Sequence, residues 1–176
     1  MRSDHPYWLG RLLSGGGDLN RLLAQNKNVV ASAHTGRTNR RIQTSLLDLE
    51  KPIISKVRGP AIGLACSLAL YCDFVYATPD ATFADPHVSV GLVGGDGGAA
   101  LWAQLTGYAR ARRYLLTGDP IRGDEAAEIG LITGSVPDDQ LDQVVDAMAR
   151  RLLSGANYAI KWTKAPIGKA MNAHRL

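Results

Sequence analysis

Two residues of this 176-residue chain pair useful proton chemistry with a constrained backbone. They are His87, directly after Pro86, and Asp96, nine residues on in Gly94-Gly95-Asp96-Gly97-Gly98. Imidazole titrates near neutral pH and serves as a general acid or base. A carboxylate nearby can take or return the same proton. Both types also have plain structural uses: a histidine after proline can be a satisfied structural residue, and an aspartate in a glycine-rich turn commonly stabilises the turn itself. Types and spacing leave both readings open. The remaining candidates carry less. His5, His34 and His174 fall in terminal or loop context and receive no assignment. Cys66 and Cys72 lie six apart in one apolar stretch, with neither a disulfide framework nor zinc-ligand spacing, and read as inert core residues. No metal site is expected. Trp102 and Trp162 read as packing anchors.

Short elements must position these residues. Ser14-Gly15-Gly16-Gly17 is a turn, and Asp18 is a plausible N-cap for a helix through Leu19, Leu22 and Leu23. The polar stretch 33–41 reads as a loop, with a helix resuming at Ile42, Leu46, Leu47 and Leu49. Lys51-Pro52 ends it, since a residue before proline is pushed out of the α region. Ile53–Val57 then reads as a strand closed by Gly59-Pro60. Leu64–Cys72 is apolar nearly all round, as in a buried helix. Strands follow at 74–77 and 81–84, and the glycine-dense turn 91–98 leads into a helix over 99–105. Further helices are expected at 109–116, 124–129, 140–153 and 157–164, with a short strand over 131–136. In 140–153, Leu141, Val144, Val145, Met148 and Leu152 form one apolar stripe, with Asp142 and Asp146 off it. Alternating short strands and helices indicate an α/β domain.

The length suits a single domain over 1–176 with a core that needs no metal or disulfide staple. No apolar run approaches the roughly 18 residues of a membrane span. The first residues lack a secretory h-region, and two cysteines suit a reducing cytoplasm, so a cytoplasmic protein is expected. Charge is uneven along the chain. Residues 1–59 carry ten Lys/Arg against four Asp/Glu, 60–150 five against twelve, and 151–176 five against none. Basic stretches suit nucleic acid, an anionic membrane surface or a phosphorylated small molecule. Nowhere do they interleave with aromatic residues as in a single-strand or RNA platform. The densest cluster, Arg37 to Arg41, reads as a solvated loop or helix face. A phosphate-bearing small molecule is therefore the expected partner, with neither nucleic acid nor membrane.

Taken in order, several motifs resemble one family. They are Lys51-Pro52-Ile53-Ile54, Gly59-Pro60-Ala61-Ile62-Gly63, Cys66-Ser67-Leu68-Ala69-Leu70 and Cys72-Asp73. Phe83, Pro86, Gly91-Leu92, Gly97-Gly98, Leu116-Thr117-Gly118 and Glu125-Ala126 through Gly130-Leu131 continue in register. Together they are similar to the crotonase superfamily, the enoyl-CoA hydratase/isomerase family, over about residues 13–165. Ser14–Leu19 is similar to its first oxyanion segment, with Gly15 where alanine is usual. The implied fold is a crotonase-like (ClpP/crotonase) spiral of short strands and helices. Both the N-terminal turn and the C-terminal helical region come out incomplete, as in a member shortened at both ends.

The resemblance implies an acyl-CoA thioester substrate and an enolate held in an oxyanion hole. By position, the backbone amides of Gly15 and Leu64 are the two donors. Gly15, Gly16, Gly17 and Asp18 would bind substrate, holding the CoA adenine along their backbone, with Leu64 in the pocket wall. No cofactor is implied beyond coenzyme A as part of the substrate. The basic ends become candidate partners for its phosphates, and homotrimers or hexamers are implied for a full-length member. The two glutamates that position water in the best-known hydratases are absent: Ser67 and His87 stand at their positions. Serine is no general base near neutral pH, so His87 and Asp96 are the catalytic candidates. Their pattern is also similar to members that hydrolyse carbon–carbon bonds of β-diketones by a retro-Claisen route, although Leu64 stands where those bring a further histidine. A non-catalytic acyl-CoA-binding relative is the third reading.

Overall fold

The computed structural model describes residues 14–18, 20, 29–94 and 96–173, the side chains of 29–37, 172 and 173 aside. The helix expected through Leu19, Leu22 and Leu23 lies outside the described residues, as do His5 and His174.

The first long element, α1 (Val29–Leu47), corrects the expected loop at 33–41 and places His34 on a helix. No proline interrupts this stretch, and its single Gly36 costs only about 1 kcal/mol against alanine. Thr44 and Ser45 return their hydroxyl protons to the carbonyls of Arg40 and Arg41, both at 2.8 Å, while Gln43 and Leu47 are buried. Tertiary anchoring outweighs the polar composition. Arg40 and Arg41 are exposed, as expected of a solvated face.

Next come β1 (Ile54–Val57), β2 (Pro60–Ile62) and the buried helix α2 (Leu64–Leu70). β2 is not expected from the sequence, where Gly59-Pro60 only closes the preceding strand. Proline is tolerated at the first residue of a strand, where its missing N–H costs no ladder bond. The chain continues through β3 (Phe74–Ala77) and β4 (Thr82–Ala84) into a 3₁₀ turn at His87–Val90. Then follow α3 (Gly98–Thr106), α4 (Tyr108–Thr117), β5 (Ile121–Arg122), α5 (Gly123–Glu128), β6 (Gly134–Ser135), α6 (Asp138–Leu153) and α7 (Asn157–Ala173).

The strands form two three-stranded sheets. One is all parallel in the order β1-β3-β6, and its central strand Phe74-Val75-Tyr76-Ala77 is continuously apolar, as a strand covered on both faces should be. In the other, β2 pairs parallel with β4, and β4 antiparallel with β5. Consecutive strands β1 and β2 therefore belong to different sheets, joined across Arg58-Gly59. Val57, Ala61, Cys66, Phe83, Leu101, Trp102, Ile121 and Leu131 fill the core. Trp102 is the expected anchor, but Trp162 is 55% exposed, its ring 6.0 Å from that of Tyr158.

α7 outruns its expected end at Lys164 and passes through Pro166. It lies close to α1: a Cβ on Gly168 would stand 2.9 Å from the Leu47 carbonyl oxygen. Lys164 fastens it further, donating to Lys51 O at 2.8 Å and Asp73 Oδ2 at 2.6 Å. These contacts hold the turn on either side of the proline and offset its lost hydrogen bond.

The stripe on α6 is oriented as expected. Leu141 is fully buried, Val144, Val145, Met148 and Leu152 are half-buried, and the helix packs on β1 and β3. Leu141→Ala is expected to lower the unfolding free energy by about 3 kcal/mol. Leu153→Ala, at a 76% exposed position, should stay within about 0.5 kcal/mol. Urea denaturation of both variants checks this, and equal losses would mean that the stripe does not dock the helix.

Candidate active site

Three chain segments leave the second sheet at one end. Ser14 forms an isolated parallel bridge to Ala61: its N–H donates to Pro60 O at 3.0 Å and its carbonyl accepts from Ile62 N–H at 3.2 Å. Ile62 is in register with Ala84 of β4. Because these neighbours run parallel, Gly15–Asp18, Gly63-Leu64 and Asp85-Pro86-His87 all emerge on the same side. Gly15–Asp18 lie exposed there, and a Cβ on Gly16 would meet only Ile62, at 3.5 Å.

Gly63 makes the turn from β2 into α2 at φ 61°, a left-handed value with open space around its Cβ position. Conformation rather than crowding selects glycine there. Its N–H donates to Ala84 O at 2.8 Å, tying the start of α2 to the end of β4. Leu64 is then the first helical residue, so its N–H has no acceptor inside the helix. The positive end of the short helix points the same way.

His87 opens the 3₁₀ turn, and its Nδ1 hydrogen-bonds the carboxylate of Asp85, two residues back across Pro86. Asp85 is 5% exposed. Sequence reasoning assigns Asp85 no role. The available signal was the spacing Asp-Pro-His, in which a rigid proline can turn two side chains toward each other. Asp96 comes from the glycine turn and is 2% exposed. Its Oδ1 accepts the Gly98 N–H at 3.2 Å, the turn-stabilising role expected of an aspartate there. Its Oδ2 is buried without a partner among the described residues. One oxygen builds the turn and the other remains for chemistry. Gln43 of α1 holds the same turn from behind, its Nε2 donating to the Asp96 carbonyl.

Ser67 of α2 completes the cluster, 1% exposed and with its Oγ likewise unpartnered. The closeness of these groups is read at Gly98. A Cβ there would lie 3.1 Å from Ser67 Oγ, 3.2 Å from Asp96 Oδ1 and closer still to Asp85 Oδ2. Three oxygens face one missing methyl group.

The Asp85 hydrogen bond raises the His87 pKa above its ordinary value; burial opposes the shift, and the charges of Asp85 and Asp96 add to it. Burial pushes the Cys66 thiol well up, reinforced by the same two aspartates, and Cys72 is pushed up to about 11. Both cysteines are free thiols of the interior, poor nucleophiles as expected. Asp85, His87 and Asp96 offer donor atoms within 4.8 Å of one another, the one grouping among the described residues that could hold a metal ion. The imidazole Nδ1 is engaged by Asp85, an arrangement suited to proton transfer.

The sequence model of the enoyl-CoA hydratase/isomerase family matches residues 9–176. The crotonyl-CoA hydratase of Syntrophomonas wolfei is 34% identical over 147 residues, 84% of this chain and 56% of that protein. The short-chain-enoyl-CoA hydratase of Clostridium acetobutylicum is 32% identical over 144 residues, 82% of this chain and 55% of that protein. The crystal structure of an enoyl-CoA hydratase/isomerase from Mycobacterium paratuberculosis superposes with a TM-score of 0.85 at 34% identity. That match covers 94% of this chain and 66% of the other. The chain thus spans a little over half the length of the curated relatives it matches. The α/β architecture is the crotonase fold of these neighbours.

Two measurements test the cluster. Gly98→Ala should cost about 2 kcal/mol or more, because its methyl group meets oxygens of buried side chains that have little room to move. A melting temperature equal to wild type would contradict the packing. The His87 contact carries a pH signature. A histidine whose folded pKa is raised stabilises fully below its unfolded value of about 6.5, and that stability is lost as pH rises through the folded value. The stability difference between wild type and His87→Gln should therefore shrink as pH rises above about 6.5, in urea titrations at several pH values. A constant difference would exclude the contact.

Proposed function

The chain belongs to the enoyl-CoA hydratase/isomerase family, and from that premise we propose that it acts on an acyl-CoA thioester through an enolate in an oxyanion hole. In this reading the amides of Gly15 and Leu64 hold the oxygen on which charge develops. Their supports are the parallel bridge at Ser14, which sets Gly15 beside the end of β2, and the unsatisfied first turn of α2. Preorganised donors of this kind are each worth about 3 kcal/mol to a transition state. The Gly15–Asp18 backbone carries the CoA adenine.

His87 and Asp96 handle the proton or the reacting water. The observation that carries this reading is their convergence, with the Asp96 Oδ2 oxygen buried and lacking a partner among the described residues. A buried oxygen left unpaired costs about 1–3 kcal/mol, and a bound water or substrate proton would relieve that cost. Ser67 Oγ is in the same state and is available to hold the same molecule. Proton exchange at carbon next to the thioester carbonyl, or addition of water to the double bond, is the chemistry such a set can run as a lyase of the enoyl-CoA hydratase type.

The exposed Arg40 and Arg41 are available for CoA phosphates, whereas Lys56, Arg58, Lys161 and Lys164 pair with carboxylates of the chain itself. We further propose a cytoplasmic protein, the homotrimer or hexamer being the assembly of a full-length member. No helix among the described residues is long and apolar enough to cross a membrane.

A second reading is favoured by one specific observation: a histidine joins Asp96 in the site, beside the carboxylate of Asp85. That pair suits hydrolysis of a carbon–carbon bond in a β-diketone. Purified protein is to be offered crotonyl-CoA and a cyclic β-diketone separately, and the products identified. Turnover of crotonyl-CoA, reduced roughly 100-fold or more by His87→Ala and by Asp96→Asn, supports the main reading. Cleavage of the diketone alone selects the second. Variants as active as wild type would remove both residues from the mechanism. Calorimetry with acyl-CoA separates an inactive binder, the third reading, from a protein with no affinity for the thioester.

A further inference from the structure

We propose that Asp85 is a positioning residue that fixes the orientation and tautomer of His87, leaving Nε2 as the nitrogen that meets substrate. The inference rests on the reading of His87 as the proton carrier. It goes beyond that reading in giving the two buried aspartates different tasks.

The geometry separates those tasks. Asp85 addresses Nδ1 of the imidazole, and a neutral imidazole that donates from Nδ1 has its lone pair on Nε2. The contact is shielded. Asp85 is nearly fully buried, and the Cβ position of Gly94 lies 3.5 Å from Asp85 Oδ2 and 3.6 Å from His87 Nδ1, so backbone closes over the pair. Pro86 between them and the hydrogen bond from Leu92 N–H to His87 O (2.9 Å) hold the backbone that carries the ring. Asp96, by contrast, spends one oxygen on the Gly98 amide, and its other oxygen has no partner among the described residues. Asp85 therefore works through His87, and Asp96 on the reacting atoms.

The charged groups acting on the imidazole are Asp85 and Asp96. Cys66, facing both aspartates from α2, is held protonated by burial. On α4, which packs against the 3₁₀ turn, Arg113 is directed to Glu125 at 3.9 Å, Arg110 donates to Ile129 O at 3.5 Å, and Arg112 is exposed. The raised pKa of His87 thus has its main source in Asp85.

The test is nitrogen NMR of histidine-labelled protein without substrate, the His87 signals being assigned by their loss in His87→Gln. In wild type, neutral His87 should carry its proton on Nδ1; a proton on Nε2 overturns the proposal, even if Asp85→Asn does not fold. In Asp85→Asn the titration midpoint should fall and the tautomer should change, whereas Asp96→Asn should leave the tautomer as it is. A merely structural Asp85 would instead lower the melting temperature without moving midpoint or tautomer, which also overturns it. With whichever substrate the protein turns over, Asp85→Asn should lose roughly 100-fold in kcat, keep KM within about threefold and shift the His87 limb of the pH profile downward. The NMR result stands or falls without activity. An Nδ1-protonated His87 whose removal leaves turnover unchanged would therefore uphold the dyad and sink the catalytic reading.

Discussion

Parallel hydrogen bonding along β2 governs where everything else can go. A three-residue strand starting with proline has few backbone bonds to give. It still accepts a partner on each side: Ser14 on one, β4 on the other. Parallel neighbours leave a sheet at the same end, so the exposed glycine segment, the start of α2 and the Asp85–His87 turn are brought together by direction alone. An antiparallel pairing at either edge would send one of the three to the opposite end. β5, which is antiparallel to β4, contributes Ile121 to the core and nothing to the site. The all-parallel sheet, with its apolar central strand, supports α6 and anchors the assembly without adding chemistry.

Inside that frame, the polar cluster is expensive. Asp85, Asp96 and Ser67 are each at least nine-tenths buried, with two oxygens among them unpartnered among the described residues. Buried ion pairs often cost as much in desolvation as they return in attraction, so the Asp85–His87 contact is weak grounds for a stability role. An apolar interior would be the easier solution. Glycines at 97 and 98 let the cluster close: their Cβ positions are filled by the Tyr71 hydroxyl in one case and by the oxygens of Ser67, Asp85 and Asp96 in the other. The glycines of this turn are thus partly the cost of packing polar groups around a backbone that must pass between them.

How far this was legible can be argued from particular residues. His87 and Asp96 stood out because proton-active types in unusual backbone settings are visible in one dimension. The long apolar helices were legible from their periodicity. Asp85 was not legible as a partner, because an i, i+2 contact across proline depends on the 3₁₀ turn that follows it. β2 was hidden because Gly-Pro is read first as a turn; its strand identity comes from neighbours some 20 and 45 residues away in sequence. The stretch 33–41 deceived in the other direction. Its polar composition suggested a loop, while the buried residues described on α1 lie further along, at Gln43 and Leu47. Short strands, too, are decided by long-range pairing that no local window contains.

The charge asymmetry along the sequence has a similar resolution. The two basic ends and the acidic middle are brought against one another by the fold. Lys56 pairs with Asp142, Arg58 with Asp138 at 2.6 Å and Asp142 at 3.0 Å, and Lys164 with Asp73 at 2.6 Å. The first two tie β1 to α6, and the third ties α7 to the corner before β3. Exposed pairs of this kind are each worth about 0–1 kcal/mol. Lys164 is the exception in setting, with a side chain 10% exposed and a backbone carbonyl as second acceptor. The basic ends are thus partly internal counterions. Among the described residues, Arg40 and Arg41 stand exposed on α1, without a carboxylate partner of this kind. Gln43, on the same helix, reaches the carbonyl of Asp96. An anion held by Arg40 and Arg41 would therefore bind to the element that also braces the glycine turn of the site.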